Sequence, residues 1–424
     1  MSAWLRLALA SAWNRRATLG LTILAITLSV SMLLGVERLR TAARESFSLS
    51  VSGTDLIVGA RTSPVQLMLY SVFRLGEATS NMRWRSYLQL AAMPQIAWAV
   101  PIALGDSHRG FPVLGTQREY FERFRYGYDR PIAVRQGRAF SGTLDGVFEA
   151  VLGSEVAQSL GYTLGQRITL SHGSGGARLP EHKDKPFEVV GILAPTGTPV
   201  DRTAHISLQA IEAIHLDWQA GAPLPGLHIP PELVRKFDLT PREVTAVLVG
   251  LHNRAAVFRV QRDIHAFSGE PLVAVMPGVA LDQLWGVVRI AERAMLAVTA
   301  LVVLVGLAGL VAVLLAGLNE RRRELAILRS VGAGPWQIGA LVVLETLFAT
   351  AVGTVLGALG VACASLLGGA WLQSAYGLTI PIQPVSTGEW GILGGVLAAG
   401  LLAGTIPAWR AARISLADGL SPRL

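Results

Sequence analysis

The apolar positions of this chain gather into four long runs, and a polar stretch of different, shorter periodicity lies between the first and the second. The runs cover residues 17–36, 294–318, 336–367 and 390–409, and only Glu345 puts a charge inside any of them. A helix needs about 20 apolar residues to cross a hydrocarbon core of roughly 30 Å, so each run predicts a membrane span. The pattern is that of a membrane protein with one span, then a large outer domain, then three spans.

Within the polar stretch, short β-rich or alternating runs bounded by Gly, Pro or polar residues occur at 55–59, 95–104, 110–115, 150–153, 167–171, 186–193, 244–251 and 271–276. Helices fit between them. Residues 154–160 follow a Gly-Ser start suited to capping, and 253–267 carry Val257, Val260, Ile264 and Phe267 at helical spacing. The mixture predicts an α+β domain, with a division into two subdomains near 130–150.

Composition agrees with a mixed architecture: 424 residues, 51% hydrophobic, mean hydropathy +0.45 and only 16% charged. Basic residues fix the orientation. Arg6, Arg15 and Arg16 precede the first span, Arg321, Arg322, Arg323 and Arg329 lie between the second and third, and Arg410, Arg413 and Arg423 follow the fourth. All three groups fall on one side, so both termini are expected to be cytoplasmic and the large domain outside. A cleaved leader is the other reading of residues 1–36, but the apolar run exceeds the usual stretch of about 7–15 residues. The net charge of +8 is largely this asymmetry, and no basic stripe with interleaved aromatics points to nucleic acid. Cys363 is the only cysteine, which excludes a disulfide within the chain and a cysteine metal cluster.

The loop between the second and third spans has its own pattern. If residues 320–331 are helical, Leu325, Leu328 and Val331 recur on one face while Arg321, Arg322, Glu324 and Arg329 occupy much of the rest. Gly332 and Gly334 can end that helix and Pro335 suits the first turn of the next. The product is a short amphipathic helix at the membrane surface, held either by a partner or by anionic lipid.

Three segments carry a family resemblance. The stretch Arg321-Arg322-Arg323-Glu324-Leu325-Ala326-Ile327-Leu328-Arg329-Ser330-Val331-Gly332-Ala333 and the ending from Gly404-Thr405-Ile406-Pro407-Ala408-Trp409-Arg410-Ala411-Ala412-Arg413 through Leu420 form the first two. The outer runs 151–157, 164–168 and 187–193 form the third. Together they resemble the FtsX/MacB-type permeases of the ABC-transporter superfamily, a group that includes the lipoprotein-releasing permeases. The likeness is least recognisable over residues 60–140.

The resemblance implies a bacterial inner-membrane protein. Its parts would be residues 1–37 with the first span, a MacB-like periplasmic domain at 38–290, and an FtsX-like permease domain at 291–424. It also implies that 319–334 is a coupling helix docking on a cytoplasmic ABC ATPase through Arg321, Arg322, Arg323, Glu324, Leu328 and Gly332. Two ATPase copies, which would hold the ATP and Mg, and a second permease copy are the implied partners.

The chain itself offers no engine. Its only lysines, Lys183, Lys185 and Lys236, follow His182, Asp184 and Arg235, so the Gly-Lys of a phosphate-binding loop is missing. Neither His-Glu-x-x-His nor Gly-x-Ser-x-Gly occurs. The expectation is therefore a non-catalytic subunit that binds no cofactor.

Inside the spans, Glu345 is read as a coupling or packing group, because a carboxyl at that depth needs a partner. Gly353 with Gly357, and Gly400 with Gly404, stand four apart and permit close helix approach. Outside, 64–75 concentrates apolar residues, and Leu67, Met68, Tyr70 and Phe73 are read either as a surface for an apolar ligand, a lipidated protein or a partner, or as a helix of the core or of the bilayer surface. His172, His182 and His205, with His215 and Asp217, are the weak metal candidates; without tight ligand spacing they read mainly as surface histidines, and no metal site is expected.

The function expected is that of a permease subunit. It would convert ATP hydrolysis on a separate chain into movement of the outer domain, for export, extraction or release of a lipoprotein, lipid or small hydrophobic molecule. A periplasmic adaptor or lipoprotein and membrane lipid are further expected partners. The alternative is a membrane-anchored binding or signalling scaffold, or a regulator of a periplasmic partner, with a metal connection.

Overall fold

The computed structural model describes residues 16–50, 52–173, 181–219, 222–224, 228–320, 322–376 and 385–413. The chain divides into two compact units: an outer one whose main body is Ala43–Val288, and a membrane one that takes Arg289–Trp371 and the helices at either end of the chain.

The outer unit is built on one mixed sheet of eleven strands: β1 (Leu56–Ala60), β2 (Ile96–His108), β3 (Phe111–Thr116), β4 (Val134–Gly137), β5 (Glu149–Leu152), β6 (Arg167–Ile168), β7 (Ser171–His172), β8 (Phe187–Leu193), β9 (Ala204–Ser207), β10 (Ala246–Leu251) and β11 (Leu272–Val275). Its order is β11-β1-β10-β2-β3-β9-β5-β8-β4, with β7 added on β2 and β6 on β8. Most pairs are antiparallel, but β9 runs parallel to β3 and β8 parallel to β5.

Both faces of this sheet are covered, which is why β1 and β10 read as unbroken apolar runs. Alternate side chains still part company: Ile57, Ala246 and Leu248 enter one core cluster, and Leu56, Val58, Val247 and Val249 enter another. The first cluster runs along the whole of one face. It takes in Leu67, Met68 and Tyr70 of helix α1 (Pro64–Ser71) as well as Val151 of β5. On the opposite face lie Val260 and Ile264 of helix α2 (Val257–His265) at one end, and Ala210, Ala213 and Ile214 of helix α3 (Leu208–His215) at the other. The subdomain division expected near 130–150 is not a break in the sheet, because β4 and β5 flank that region and belong to the same path.

Burial decides between the two readings of 64–75. Leu67, Met68, Tyr70 and Phe73 are all buried, so they are core residues and offer no accessible surface to a lipidated partner. Burial pushes the Tyr70 hydroxyl up to about 12.

His205 is likewise a core residue and not a surface one. It is fully buried on β9, and its ring lies 5.6 Å from that of Tyr120 and 5.7 Å from that of Phe121. Burial first, and the nearby Arg74 charge second, push its imidazole down to about 3 against the pull of the Val151 carbonyl.

The membrane unit has four helices long and apolar enough to span a bilayer among the described residues. They are α4 (Arg16–Leu49), α5 (Pro277–Glu320), α7 (Pro335–Tyr376) and α8 (Thr387–Ala412), with the short α6 (Arg322–Ser330) between α5 and α7. Helices α4 and α5 run well past the apolar windows, because the polar residues beyond each window continue the helix instead of ending it.

Helix α7 lies against α4 and α8 with almost no intervening side chain. A Cβ added at Gly353 would lie 2.8 Å from the Cβ of Ile26, and one at Gly357 would lie 2.7 Å from the Cβ of Val30. On the α8 side, a Cβ at Gly400 or Gly404 would come within 2.5 Å and 2.9 Å of Thr350 and Thr346. Both glycine pairs therefore meet other helices of the same chain.

Two outcomes follow. Gly353→Leu and Gly357→Leu are each expected to lower thermal stability in detergent by about 1–3 kcal/mol, the usual cost of overpacking. Gly394→Leu, where the space is open, should have no effect; equal losses at all three positions would contradict this packing. His205 gives a pH test. The unfolded imidazole takes up a proton below about pH 6.5, while the folded one stays neutral until far lower pH. Its contribution is therefore complete above that pH and is lost as pH falls toward about 3. His205→Phe should flatten the pH dependence of stability between about pH 6 and 4 by about 1.4 kcal/mol per pH unit, one proton's worth, measured by denaturant unfolding.

Candidate functional site

Of the residues expected to dock on an ATPase, Arg322, Arg323, Glu324 and Leu328 lie on α6, and Gly332 lies just beyond it. Arg321 falls outside the described residues, as do the side chains of Arg322, Arg323 and Glu324, although the backbone of those three is helical. From Leu325 onward the arrangement is defined. Leu325 and Ala326 are buried, and Leu325 lies in one cluster with Leu318 of α5, Ile338 and Val342 of α7, and Ala408 and Ala411 of α8. Leu328 is half-buried against the same group. A helix of nine residues is too short to hold itself together in water, so this apolar seat is what fixes it.

Helix α6 stops where its glycine stands. The N–H of Ala333 donates to the Leu328 carbonyl at 3.0 Å and that of Gly332 to the Arg329 carbonyl at 3.1 Å. Those two bonds make a Schellman cap, which needs a left-handed residue at Gly332, where φ is +104°. The N–H of Gly334 then donates to Gln337 Oε1 at 2.9 Å, and Pro335 opens α7.

This early stop corrects the expected apolar face. Val331 lies beyond the last helical residue and is 83% exposed, while Ile327 and Trp336 are 52% and 86% exposed. The turn thus presents three large apolar side chains beside a basic run, and Ile327 and Trp336 were not singled out in the sequence. The signal was there only indirectly, in the position of Gly332.

At the far end of the membrane helices a second fixed point occurs. Ser386 and Glu389 form a capping box at the start of α8: the Glu389 N–H donates to Ser386 Oγ at 3.2 Å, and the Ser386 N–H to Glu389 Oε2 at 2.8 Å. The other carboxylate oxygen of Glu389 accepts from Arg38 Nε of α4 at 2.6 Å, with the Glu389 side chain only 5% exposed. The Ser-x-x-Glu spacing ahead of an apolar run is legible in the sequence; its arginine partner is not.

Inside the bundle, Glu345 is buried on α7 at 8% exposure. Gly353, Gly357, Gly400 and Gly404 are the contact points already described, so these positions pack the subunit. The buried hydroxyls of Ser29, Thr299, Thr346, Thr350 and Thr354 each donate to the carbonyl four residues earlier in their own helix. They therefore line no polar path through the membrane.

In the outer unit the histidines sort differently from expectation. His205 is isolated in the core, as described, and does not meet the other two. His172 and His182 do meet, with ring centroids 4.7 Å apart, and they are joined by His215 and by Asp106, which the sequence did not suggest. Asp217 belongs elsewhere. Its Oδ1 accepts from Lys185 Nζ at 2.5 Å and its Oδ2 from the Ile229 N–H at 3.0 Å. Burial pushes the Asp217 carboxyl up, but these two donors outweigh it and hold the group below the usual carboxylate range.

The comparisons with known proteins can be set on this geometry. A family model described as the MacB-like periplasmic core domain matches residues 19–266, and one described as the FtsX-like permease C-terminal matches 296–416. Among solved structures, the periplasmic region of MacB from Actinobacillus actinomycetemcomitans is similar at 10% identity, covering 55% of this chain and 94% of that one, with a TM-score of 0.34. The extracellular domain of the noncanonic ABC-type transporter YknZ from Gram-positive bacteria is similar at 13% identity, covering 53% and 98%, with a TM-score of 0.30. Neither likeness is close enough to carry an argument, and no curated protein matches. The first family model alone takes in more than half of the chain, the second follows it in order, and four apolar helices frame them as one and three: the chain belongs to the FtsX/MacB-type permeases of ABC transporters.

Proposed function

We propose that this chain is the transmission subunit of its ABC complex: it takes up the stroke of a separate cytoplasmic ATPase at α6 and delivers it to the periplasmic domain. Family membership makes it the membrane component, with a periplasmic domain, and implies association with an ABC ATPase and dimerisation. The observation that carries the finer reading is the seating of α6. Leu325, with Leu328 beside it, locks it onto α5, α7 and α8 together, so a push on this helix loads three spans at once.

The exposed side of α6 and its turn suits a protein partner. Ile327, Val331 and Trp336 offer apolar anchors, and Arg321, Arg322 and Arg323 offer charge for steering. On this reading two ATPase copies, carrying ATP and Mg, grip two permease copies, and both termini are cytoplasmic.

A mechanical stroke fits the bundle better than a hydrophilic channel does, because the buried hydroxyls of Ser29, Thr299, Thr346, Thr350 and Thr354 are turned to their own backbones. A groove of about 500 Å³ between α4 and α5, lined by Leu21, Leu28, Met32, Val302 and Val305 among others, is apolar and suits an acyl chain. The substrate class this supports is amphiphilic: a lipoprotein, a lipid or a small hydrophobic molecule, with a periplasmic adaptor or lipoprotein carrier receiving it.

The test is ATPase activity of the complex purified with its nucleotide-binding subunit. Changing Arg321, Arg322 and Arg323 together to Glu is expected to abolish co-purification and coupled hydrolysis. Val331→Asp should weaken association by about tenfold, the order expected of one desolvated apolar anchor. Unchanged assembly and turnover in both variants would sink the coupling assignment and leave a scaffold without an ATPase as the better reading.

A further inference from the structure

Asp106, His172, His182 and His215 converge from four separate places in the outer unit. Asp106 and His172 are directly opposite each other in the antiparallel pairing of β2 with β7, so their side chains share one face. His215 ends α3, and His182 lies just before the buried Lys185. One ligand atom from each lies within 4.8 Å of every other.

Three of these atoms already form a compact triangle. His172 Nδ1 is 3.2 Å from Asp106 Oδ1 and 3.4 Å from His215 Nε2, and His215 Nε2 is 3.9 Å from Asp106 Oδ1. Zinc bonds of about 2.0–2.1 Å in a tetrahedron place neighbouring ligand atoms about 3.3 Å apart. The triangle is close to one face of such a tetrahedron, and His182 is the outlying fourth corner.

Tautomer and satisfaction point the same way. His215 Nδ1 is 2.7 Å from the Ile211 carbonyl, which can only accept, so Nδ1 carries the proton and Nε2 turns a lone pair inward. That is the outer-shell arrangement typical of a metal-bound histidine. His182 is fully buried, yet neither of its ring nitrogens makes a hydrogen bond within the protein, and the same holds for His172 Nε2 and Asp106 Oδ1. An ion would take up Asp106 Oδ1 and one nitrogen of His182, which a purely hydrogen-bonded cluster leaves unmatched at about 1–3 kcal/mol each. The Trp218 ring, 4.0 Å from that of His182 and 4.9 Å from that of His172, closes the cluster on one side.

The neighbouring group Asp184, Asp217 and His228 shows the contrast. There Lys185 Nζ already lies between the two carboxylates, at 2.8 Å and 2.5 Å, and supplies the positive charge. No such cation serves Asp106 and the three histidines among the described residues.

We propose that Asp106, His172, His182 and His215 bind a single divalent transition-metal ion, zinc by preference, in the periplasmic domain. Three imidazoles and one carboxylate suit zinc and disfavour calcium and magnesium, which take oxygen ligands. Four protein ligands leave no open position, so the ion would be structural or regulatory: it would clamp β2 and β7 to the end of α3 and to the segment that carries His182. This site is independent of the coupling role of α6.

The experiment uses the full-length, tag-free chain in detergent, stripped with chelator and titrated with zinc. One zinc per chain is expected, with a rise in melting temperature on binding. His172→Gln and His215→Gln should each weaken binding by more than about a hundredfold, beyond what losing an outer-shell partner costs. His228→Gln, in the neighbouring cluster, should bind normally. Because a buried variant can misfold, the unaltered chain loaded with cobalt provides a second readout: an intense visible absorption of tetrahedral cobalt is expected. Zinc bound no more tightly by the unaltered chain than by the His172→Gln, His215→Gln double variant, or a weak octahedral cobalt spectrum, would overturn the proposal.

Discussion

Everything in the membrane unit depends on how closely α7 can approach its neighbours. In a bilayer no hydrophobic effect pulls helices together, so association rests on packing and on satisfied polar groups. Gly353 and Gly357 admit Ile26 and Val30 of α4, while Gly400 and Gly404 of α8 admit Thr350 and Thr346. These contacts make α7 the axis of the bundle, with α4 on one side and α8 on the other. The ion pair from Arg38 to the capping box of α8 then joins those two outer helices directly.

That packing gives the short helix α6 its meaning. Left alone, nine residues would not stay helical, but Leu325 and Leu328 are held by α5, α7 and α8, and Gly332 ends the helix at a defined residue. The exposed side of the turn carries the apolar side chains of Ile327, Val331 and Trp336, which a partner could hold. A force applied there enters the bundle through packed side chains, because close-packed interiors shift as bodies and deform little. The outer unit has the complementary property: a single sheet with both faces covered, suited to being moved as a piece.

Much of this was legible in the sequence, for identifiable reasons. The spans show as long apolar runs with Glu345 as their one charge, and β1 and β10 show as short apolar runs because both sides of the sheet are covered. Residues 154–160 were read as helix at the bounds observed. What stayed hidden depends on tertiary contact. Nothing local tells whether the apolar run around Leu67 faces a partner or the core. Val331 was placed on one apolar face with Leu325 and Leu328 because periodicity alone cannot say where a helix stops. Three histidines far apart in sequence meet Asp106 only because β7 pairs with β2, while His205, one strand away in the same domain, is shut into the core.

The central claim, that motion at α6 and its turn reaches the periplasmic domain through α7, is tested most directly by distance measurement. Spin labels would be placed at Tyr128→Cys, which is 81% exposed, in a Cys363→Ser background, in the reconstituted complex with its ATPase. Pulsed EPR between the two permease copies should show a distance distribution that changes when ATP binds, and adding Gly357→Leu to loosen α4 from α7 should suppress that change. A distribution insensitive to ATP, or a shift that survives Gly357→Leu undiminished, would contradict the account.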